Sequence, residues 1–267
     1  MDVLDKLDFF YKRFAGEKGC IGKTLLGEEI KYFCVEKTKS PTIIVQYAIH
    51  AREYITTLLA LKQIKYFTRF GRLGRVYFIP AVNVDGIKIS LKAMPLYKAN
   101  ARGVDLNVNF DANWGTGRSN LKHAGSENYI GTKPFSEPET MALRNFTLLV
   151  KPDITLSYHC KGEEIYYQFF QTGKELKRDL LLAKSLAGVT GYKIKNTPFS
   201  AGGYKDWCIQ KLKIPSFTIE VGNDALVHPL KEKALKEIYK KNKKVITTLM
   251  ESQYAKEIYA KSLKAGT

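Results

Sequence analysis

The chain has 267 residues, with 43 Lys and Arg against 26 Asp and Glu for a formal net charge of +17, and 45% of its residues are hydrophobic. That length supports one sizeable core, so residues 1–267 read as a single domain. The composition excludes a disordered or collagen-like chain, and no apolar run approaches the ~20 residues of a membrane-spanning helix.

The first residues, Met1 to Lys6, lack a basic stretch followed by an apolar one, and the expectation is a cytoplasmic protein without a signal peptide. Cys20, Cys34, Cys160 and Cys208 are scattered, which suits free thiols in a reducing compartment better than a disulfide framework or a zinc knuckle. The positive charge could attract nucleic acid, an anionic membrane or an acidic substrate. Lysines are spread along the chain and often sit beside Glu, as in Lys231-Glu232-Lys233. That pattern points to a solvated surface, with no nucleic acid or membrane partner expected.

A short helix with Leu4, Leu7, Phe9 and Phe10 on its apolar side opens the chain, and a glycine-punctuated segment from Gly19 to Gly27 leads to a strand at Glu29–Val35. Thr42 to Ile49 is β-branched and of strand length, and His50 follows it. From Glu53 onward Ile55, Leu58, Leu59, Lys62 and Tyr66 fall at helical spacing until Gly71 and Gly74. His50 and Glu53 therefore sit in a strand-to-helix turn, where open α/β sheets place ligands. An imidazole and a carboxylate three residues apart suit zinc, although a capping His with a first-turn Glu would give the same pattern.

Arg75 to Val82 reads as a buried strand ending in a turn at Asn83-Val84-Asp85-Gly86. Residues 95–135 show no periodicity and are rich in Asn, Gly and aromatics, as functional loops are. Ser136 and Glu139 have capping-box spacing before a helix through Leu149. Pro152 to His159 is a strand that again ends in His, which makes His159 a third candidate ligand. A strand from Glu164 to Phe170, a helix around Leu176 to Leu186, and Ser200-Ala201-Gly202-Gly203 before a short helix come next. Pro215 to Gly222 places Glu220 at the end of an apolar strand, where a carboxylate needs a partner or a function. Leu235, Ile238, Val245, Ile246 and Leu249 among lysines read as a surface helix.

The alternation implies an α/β fold with a mixed, mostly parallel twisted central sheet and helices on both faces. His50, Glu53, His159 and Glu220 then fall on one sheet edge. Two His and one Glu leave a position open on a single zinc ion, the arrangement of a hydrolytic site, and Glu220 is the candidate base.

H-A-R-E at 50–53, N-V-D-G at 83–86, G-V-D-L-N at 103–107, S-Y-H at 157–159 and T-I-E-V at 218–221 together resemble the zinc metallocarboxypeptidases of the carboxypeptidase A type, in order and approximate spacing. The resemblance implies one zinc on His50, Glu53 and His159, with Glu220 as general base and acid. The segments 97–103, 162–166 and 200–207 look like the bacterial branch that cleaves the γ-D-glutamyl to meso-diaminopimelate bond of murein peptides. Three positions depart from the family pattern. Val108 stands where an Arg grips a terminal carboxylate, Lys98 aligns with the Arg that polarises the scissile carbonyl, and Pro198 replaces a capping Tyr. The expected substrate is thus a small acidic muropeptide. Arg52, Lys98, Arg102 and Lys205 are candidates to read its carboxylates, Lys98 or Arg52 to steady the oxyanion, and Asn107, Gly202 and Gly203 to line its path. The alternatives are another amide, in an ordinary peptide or an N-acyl amino acid, and a non-catalytic basic binding protein that keeps a relic metal site.

Overall fold

The computed structural model describes residues 1–196 and 199–265. The chain runs α1 (Val3–Arg13), β1 (Lys18–Lys23), β2 (Glu29–Glu36), β3 (Thr42–Tyr47), α2 (Ile55–Phe70), β4 (Arg75–Ile79), α3 (Val84–Lys92), α4 (Pro138–Val150), β5 (Ile154–His159) and β6 (Glu164–Tyr166). It continues with α5 (Gly173–Thr190), β7 (Lys193–Lys195), α6 (Tyr204–Leu212), β8 (Ser216–Glu220), α7 (Leu235–Asn242), α8 (Val245–Met250) and α9 (Gln253–Ala265). Single 3₁₀ turns occur at Ala51–Glu53, Leu106–Val108 and Glu232–Ala234. Among the described residues no helix is long and apolar enough to cross a membrane.

Eight strands form one mixed sheet in the order β1-β2-β4-β3-β5-β8-β6-β7. The centre, β4-β3-β5-β8, is parallel throughout. Such strands are covered on both sides, which explains why β5 is buried at every position. Alternate residues of β3 feed two cores. Ile43, Val45 and Tyr47 pack with α2, α5, α7 and α8, whereas Ile44 packs on the other face with Leu106, Phe110, Tyr204 and Trp207. The anticipated α/β class and two-sided helix cover are both present.

Several local expectations are corrected. The glycine-punctuated segment contains an edge strand, β1, because small residues let it lie close to α4: a Cβ at Gly22 would stand 2.6 Å from that of Ala142. Asn83 begins a helix rather than a turn, with its Oδ1 accepting from the Gly86 amide at 3.0 Å. The capping box at Ser136 and Glu139 does not form, because Glu139 instead accepts from the Leu25 amide (3.1 Å) and from Asn100 Nδ2 (3.2 Å). The strand from Glu164 ends at Tyr166, and Gln171 holds the departing chain through the Phe169 amide and the Tyr167 carbonyl. The C-terminal helix is three helices. Its apolar residues Leu235, Ile238, Val245, Ile246 and Leu249 are buried as anticipated.

A buried polar link ties the sheet to the helices. Tyr47 and Tyr158 stack at 4.9 Å, and Gln63 joins their hydroxyls at 2.6 and 2.8 Å while also donating to the Asn242 carbonyl. Gln63→Leu should strand two buried phenols and a carbonyl, lowering unfolding free energy by about 3 kcal/mol in urea titration.

Candidate active site

The strand ends bring four expected residues together. His50 follows β3 and leads into the 3₁₀ turn that carries Glu53, while His159 and Glu220 end β5 and β8 and are directly paired in register. Backbone geometry aims the first pair. Ala48 takes a left-handed φ of 48°, its amide donates to Thr56 Oγ1 at 3.0 Å, and Thr56 in turn donates to the Glu53 carbonyl at 2.8 Å. Asn83 Nδ2 donates to the carbonyls of Ile49 (3.2 Å) and Ala99 (3.0 Å), and the Ala51 amide bonds to the Lys98 carbonyl. The turn is therefore anchored on both flanks.

His50 Nδ1 lies 2.9 Å from Glu53 Oε1 and 3.1 Å from His159 Nδ1, and the latter is 3.2 Å from Glu53 Oε2. All three residues are buried. Among the described residues they are the group of His, Cys, Asp or Glu close enough to hold a metal ion. One ligand atom from each lies within 4.8 Å of the other two, close enough to share an ion. The donor set of two imidazoles and a carboxylate therefore fits zinc.

Asp105, inside the G-V-D-L-N motif and without an assigned role in the sequence, supports this centre. Fully buried, it places Oδ1 3.3 Å from His50 Nε2 and Oδ2 2.7 Å from Lys98 Nζ. Amides of Asn107 and Asn128 complete its bonding. Burial alone would raise the Asp105 and Glu53 carboxyls, but Lys98 and His50 hold the first, and the two imidazoles the second, below the ordinary carboxylate range. Burial works against the Lys98 charge, and Asp105 outweighs it. Glu220 differs. Partly exposed as a residue, it has an Oε2 shielded from solvent and without a partner among the described residues. Burial and then the Glu53 charge push its carboxyl well above the usual range.

A cavity of about 150 Å³ opens beside Glu220, lined by Asn107, Tyr166, Ser200, Gly203, Lys205 and Thr218 together with Asp206. Lys205 is buried in its wall, donating to Asp206 Oδ1 at 2.5 Å and to the Gln168 carbonyl at 3.0 Å. The expected basic group is therefore already half of an ion pair. Asn107 Oδ1 accepts from the Tyr204 amide at 3.2 Å, which leaves its NH₂ for the cavity. Gly202, with φ of +82°, lets two loops meet, since a Cβ there would stand 2.7 Å from the Val108 carbonyl oxygen. It braces the wall, and Gly203 lines it. Arg102 does not join the cavity. Half exposed, it faces Glu137 at 3.6 Å. Arg52 does not line the cavity either; it is bonded to the Leu96 carbonyl and Glu127, and its buried Nε has no partner among the described residues. His228 is half-buried and His123 is exposed. The Pro198 departure lies outside the described residues.

The pattern of the family described as zinc carboxypeptidase matches residues 17–245. A γ-D-glutamyl-L-diamino acid endopeptidase of Lysinibacillus sphaericus is 28% identical over 87% of this chain, which spans 66% of that protein. Murein peptide amidase A of Escherichia coli is 32% identical over 52% of this chain and 57% of its own length. Among solved structures, bovine thrombin-activatable fibrinolysis inhibitor in complex with tick carboxypeptidase inhibitor superposes with a TM-score of 0.81 at 20% identity, over 98% of both chains. The murein-tripeptide amidase of E. coli O157 gives 0.65 at 22% identity, over 88% of this chain and 92% of that one.

If Asp105 orients His50, Asp105→Asn should weaken zinc affinity by roughly 10- to 100-fold in chelator competition. The change should leave the fold intact by circular dichroism.

Proposed function

This chain belongs to the zinc carboxypeptidase family, and we propose that it is a metal-dependent peptidase that hydrolyses murein peptides at the γ-D-glutamyl to meso-diaminopimelate amide. The observation that carries the reading is the cavity beside Glu220, with Lys205 in its wall. Its ammonium uses two of three protons within the protein, and the third is available to a ligand carboxylate. The bidentate carboxylate grip of an Arg is absent because Val108 occupies that position, which weighs against simple trimming of C-terminal residues. The names of two relatives, a γ-D-glutamyl-L-diamino acid endopeptidase and a murein peptide amidase, support the same substrate class.

In the proposed mechanism His50, Glu53 and His159 hold one zinc ion, which when bound supplies Lewis-acid activation of water and of the scissile carbonyl. Glu220 takes the proton from the attacking water as the new C–O bond forms. It then delivers that proton to the departing nitrogen as the C–N bond breaks. A carboxyl whose surroundings raise its proton affinity is suited to carrying a proton between two sites. Lys98 is the cation that acts on His50, Glu53 and Glu220 together, so we assign it, ahead of Arg52, to the developing oxyanion. Asp105 keeps that ammonium charged and in place. Arg52, held by the Leu96 carbonyl and Glu127, is left to the acyl half of the substrate.

Four free cysteines, three of them buried, support a reducing compartment, and we place the activity in the cytoplasm on peptides released from the wall. The convergence of an intact ligand set with a proton carrier favours an enzyme over a relic binding site.

Zinc-loaded protein incubated with L-Ala-γ-D-Glu-meso-diaminopimelate should release free diaminopimelate, detected by mass spectrometry. Chelation should stop the reaction and added zinc restore it. Glu220→Gln should keep its zinc while kcat falls by roughly 10²- to 10⁴-fold. A zinc-replete variant with normal turnover would sink the mechanism, and no diaminopimelate from zinc-replete wild type would sink the substrate reading. Lys205→Met should raise KM far more than it lowers kcat.

A further inference from the structure

Beside the cavity that Lys205 lines stands a second charged group with no assigned part in the reaction. Strand β6 runs antiparallel to β8 with Glu164 opposite Glu220 and Tyr166 opposite Thr218. Side chains two apart on a strand share a face, so these four point to the same side of the sheet, away from the buried Ile165 and Ile219. Three of the four line the cavity, and the fourth, Glu164, accepts a hydrogen bond from the Tyr166 hydroxyl through Oε2. A phenol that gives its proton to a carboxylate turns its oxygen lone pairs outward with the carboxylate's charge behind them. Lys195, the cation nearest Glu164, is 3.5 Å from Oε1 and half exposed, so water screens that pair.

The two charge-bearing pairs at the cavity therefore differ. In one, Lys205 is paired with Asp206, and Asp206 is further committed to the Gly203 amide through Oδ2. What that pair offers a ligand is one remaining ammonium proton. In the other, the Tyr166 oxygen offers an acceptor backed by Glu164. A side chain ending in a lone ammonium would satisfy only the second pair, and one ending in a lone carboxylate only the first.

We propose that Glu164, acting through Tyr166, is a specificity determinant that reads an ammonium group on the amine half of the substrate, so that the cavity selects a zwitterionic side-chain end carrying both ammonium and carboxylate. The inference rests on the function proposed above and deepens it, since the distal end of diaminopimelate is such a zwitterion, lysine lacks its carboxylate and 2-aminopimelate lacks its ammonium.

The test compares kcat/KM for three peptides, L-Ala-γ-D-Glu followed by meso-diaminopimelate, L-lysine or 2-aminopimelate, using zinc-loaded wild type, Glu164→Gln and Tyr166→Phe. Wild type should prefer diaminopimelate over 2-aminopimelate by roughly 10- to 100-fold. In both variants that ratio should collapse toward one, while the ratio of diaminopimelate to lysine, which depends on Lys205, stays unchanged. A merely structural role for Glu164 would slow all three peptides alike and leave both ratios intact, and that result would overturn the proposal. Cleavage of none of the three by zinc-replete wild type would instead overturn the functional reading on which it rests.

Discussion

Five buried or nearly buried charged and ionisable groups stand in a row, Lys98, Asp105, His50, Glu53 and His159, each within 3.3 Å of the next. No member is stable there alone. A carboxylate removed from water without a partner is strongly penalised, and so is an ammonium. Alternation of donors and acceptors along the row makes burial tolerable, and it leaves the two imidazole Nδ1 atoms and Glu53 facing one point. The opposing directions of perturbation, with Glu53 and Asp105 held down and Glu220 pushed up, follow from the same arrangement. Carboxylates inside the row have cations or imidazoles on either side. Glu220 lies beyond its end, where the nearest strong influence after burial is another carboxylate.

The fold supplies this row by making its strands parallel. Parallel neighbours end at the same edge, so β3, β5 and β8 deliver His50, His159 and Glu220 to one place without a long loop having to fold over them. The loop residues arrive differently. Lys98 and Asp105 belong to a segment without regular structure, and backbone bonds hold it: Lys98 carbonyl to Ala51 amide, Lys98 and Ala99 amides to the Ser126 carbonyl, and Asp105 amide to the Tyr129 carbonyl. Asn83 ties the two systems together, bonding the carbonyls of Ile49 and Ala99, which are next to His50 and near Lys98.

These two modes of delivery explain what was legible in the sequence. Period-two and unbroken β-branched runs mark strands, and a His or Glu at the end of such a run is conspicuous, so His50, Glu53, His159 and Glu220 stand out as candidates, and the structure gathers the first three closely enough to hold a metal ion. Asp105 could not be, because its part depends on meeting His50 and Lys98 across the fold, and one sequence carries no record of that. Its only signal was membership of G-V-D-L-N. Arg102, a basic residue near the motifs, shows the converse limit: the sequence does not reveal that it faces Glu137. For Tyr166 the local pattern gives only membership of a strand, and its place in the cavity wall follows from antiparallel register with β8, which that pattern does not encode. Misread local structure had a similar cause. Glu139 has a capping-box position but spends its carboxylate on Leu25 and Asn100, partners far away in the chain.

The departures from the family pattern are linked through the position of charge. With Val108 in place of an Arg, Asn107 is the remaining polar side chain of that turn directed to the cavity, and a single neutral donor discriminates poorly between a chain end and a continuing peptide. On the proposed reading, recognition comes from the side chain of the residue being released, where two charge-bearing pairs stand at the cavity: Lys205 with Asp206 on α6, and Tyr166 with Glu164 on β6. Both pairs are anchored in regular secondary structure, which holds polar groups more rigidly than the loop does. On the proposed reading, a substrate whose distinguishing charges sit at the end of a long side chain suits this distribution. A peptide identified only by its terminal carboxylate would find a small neutral grip where the family pattern puts its strongest one.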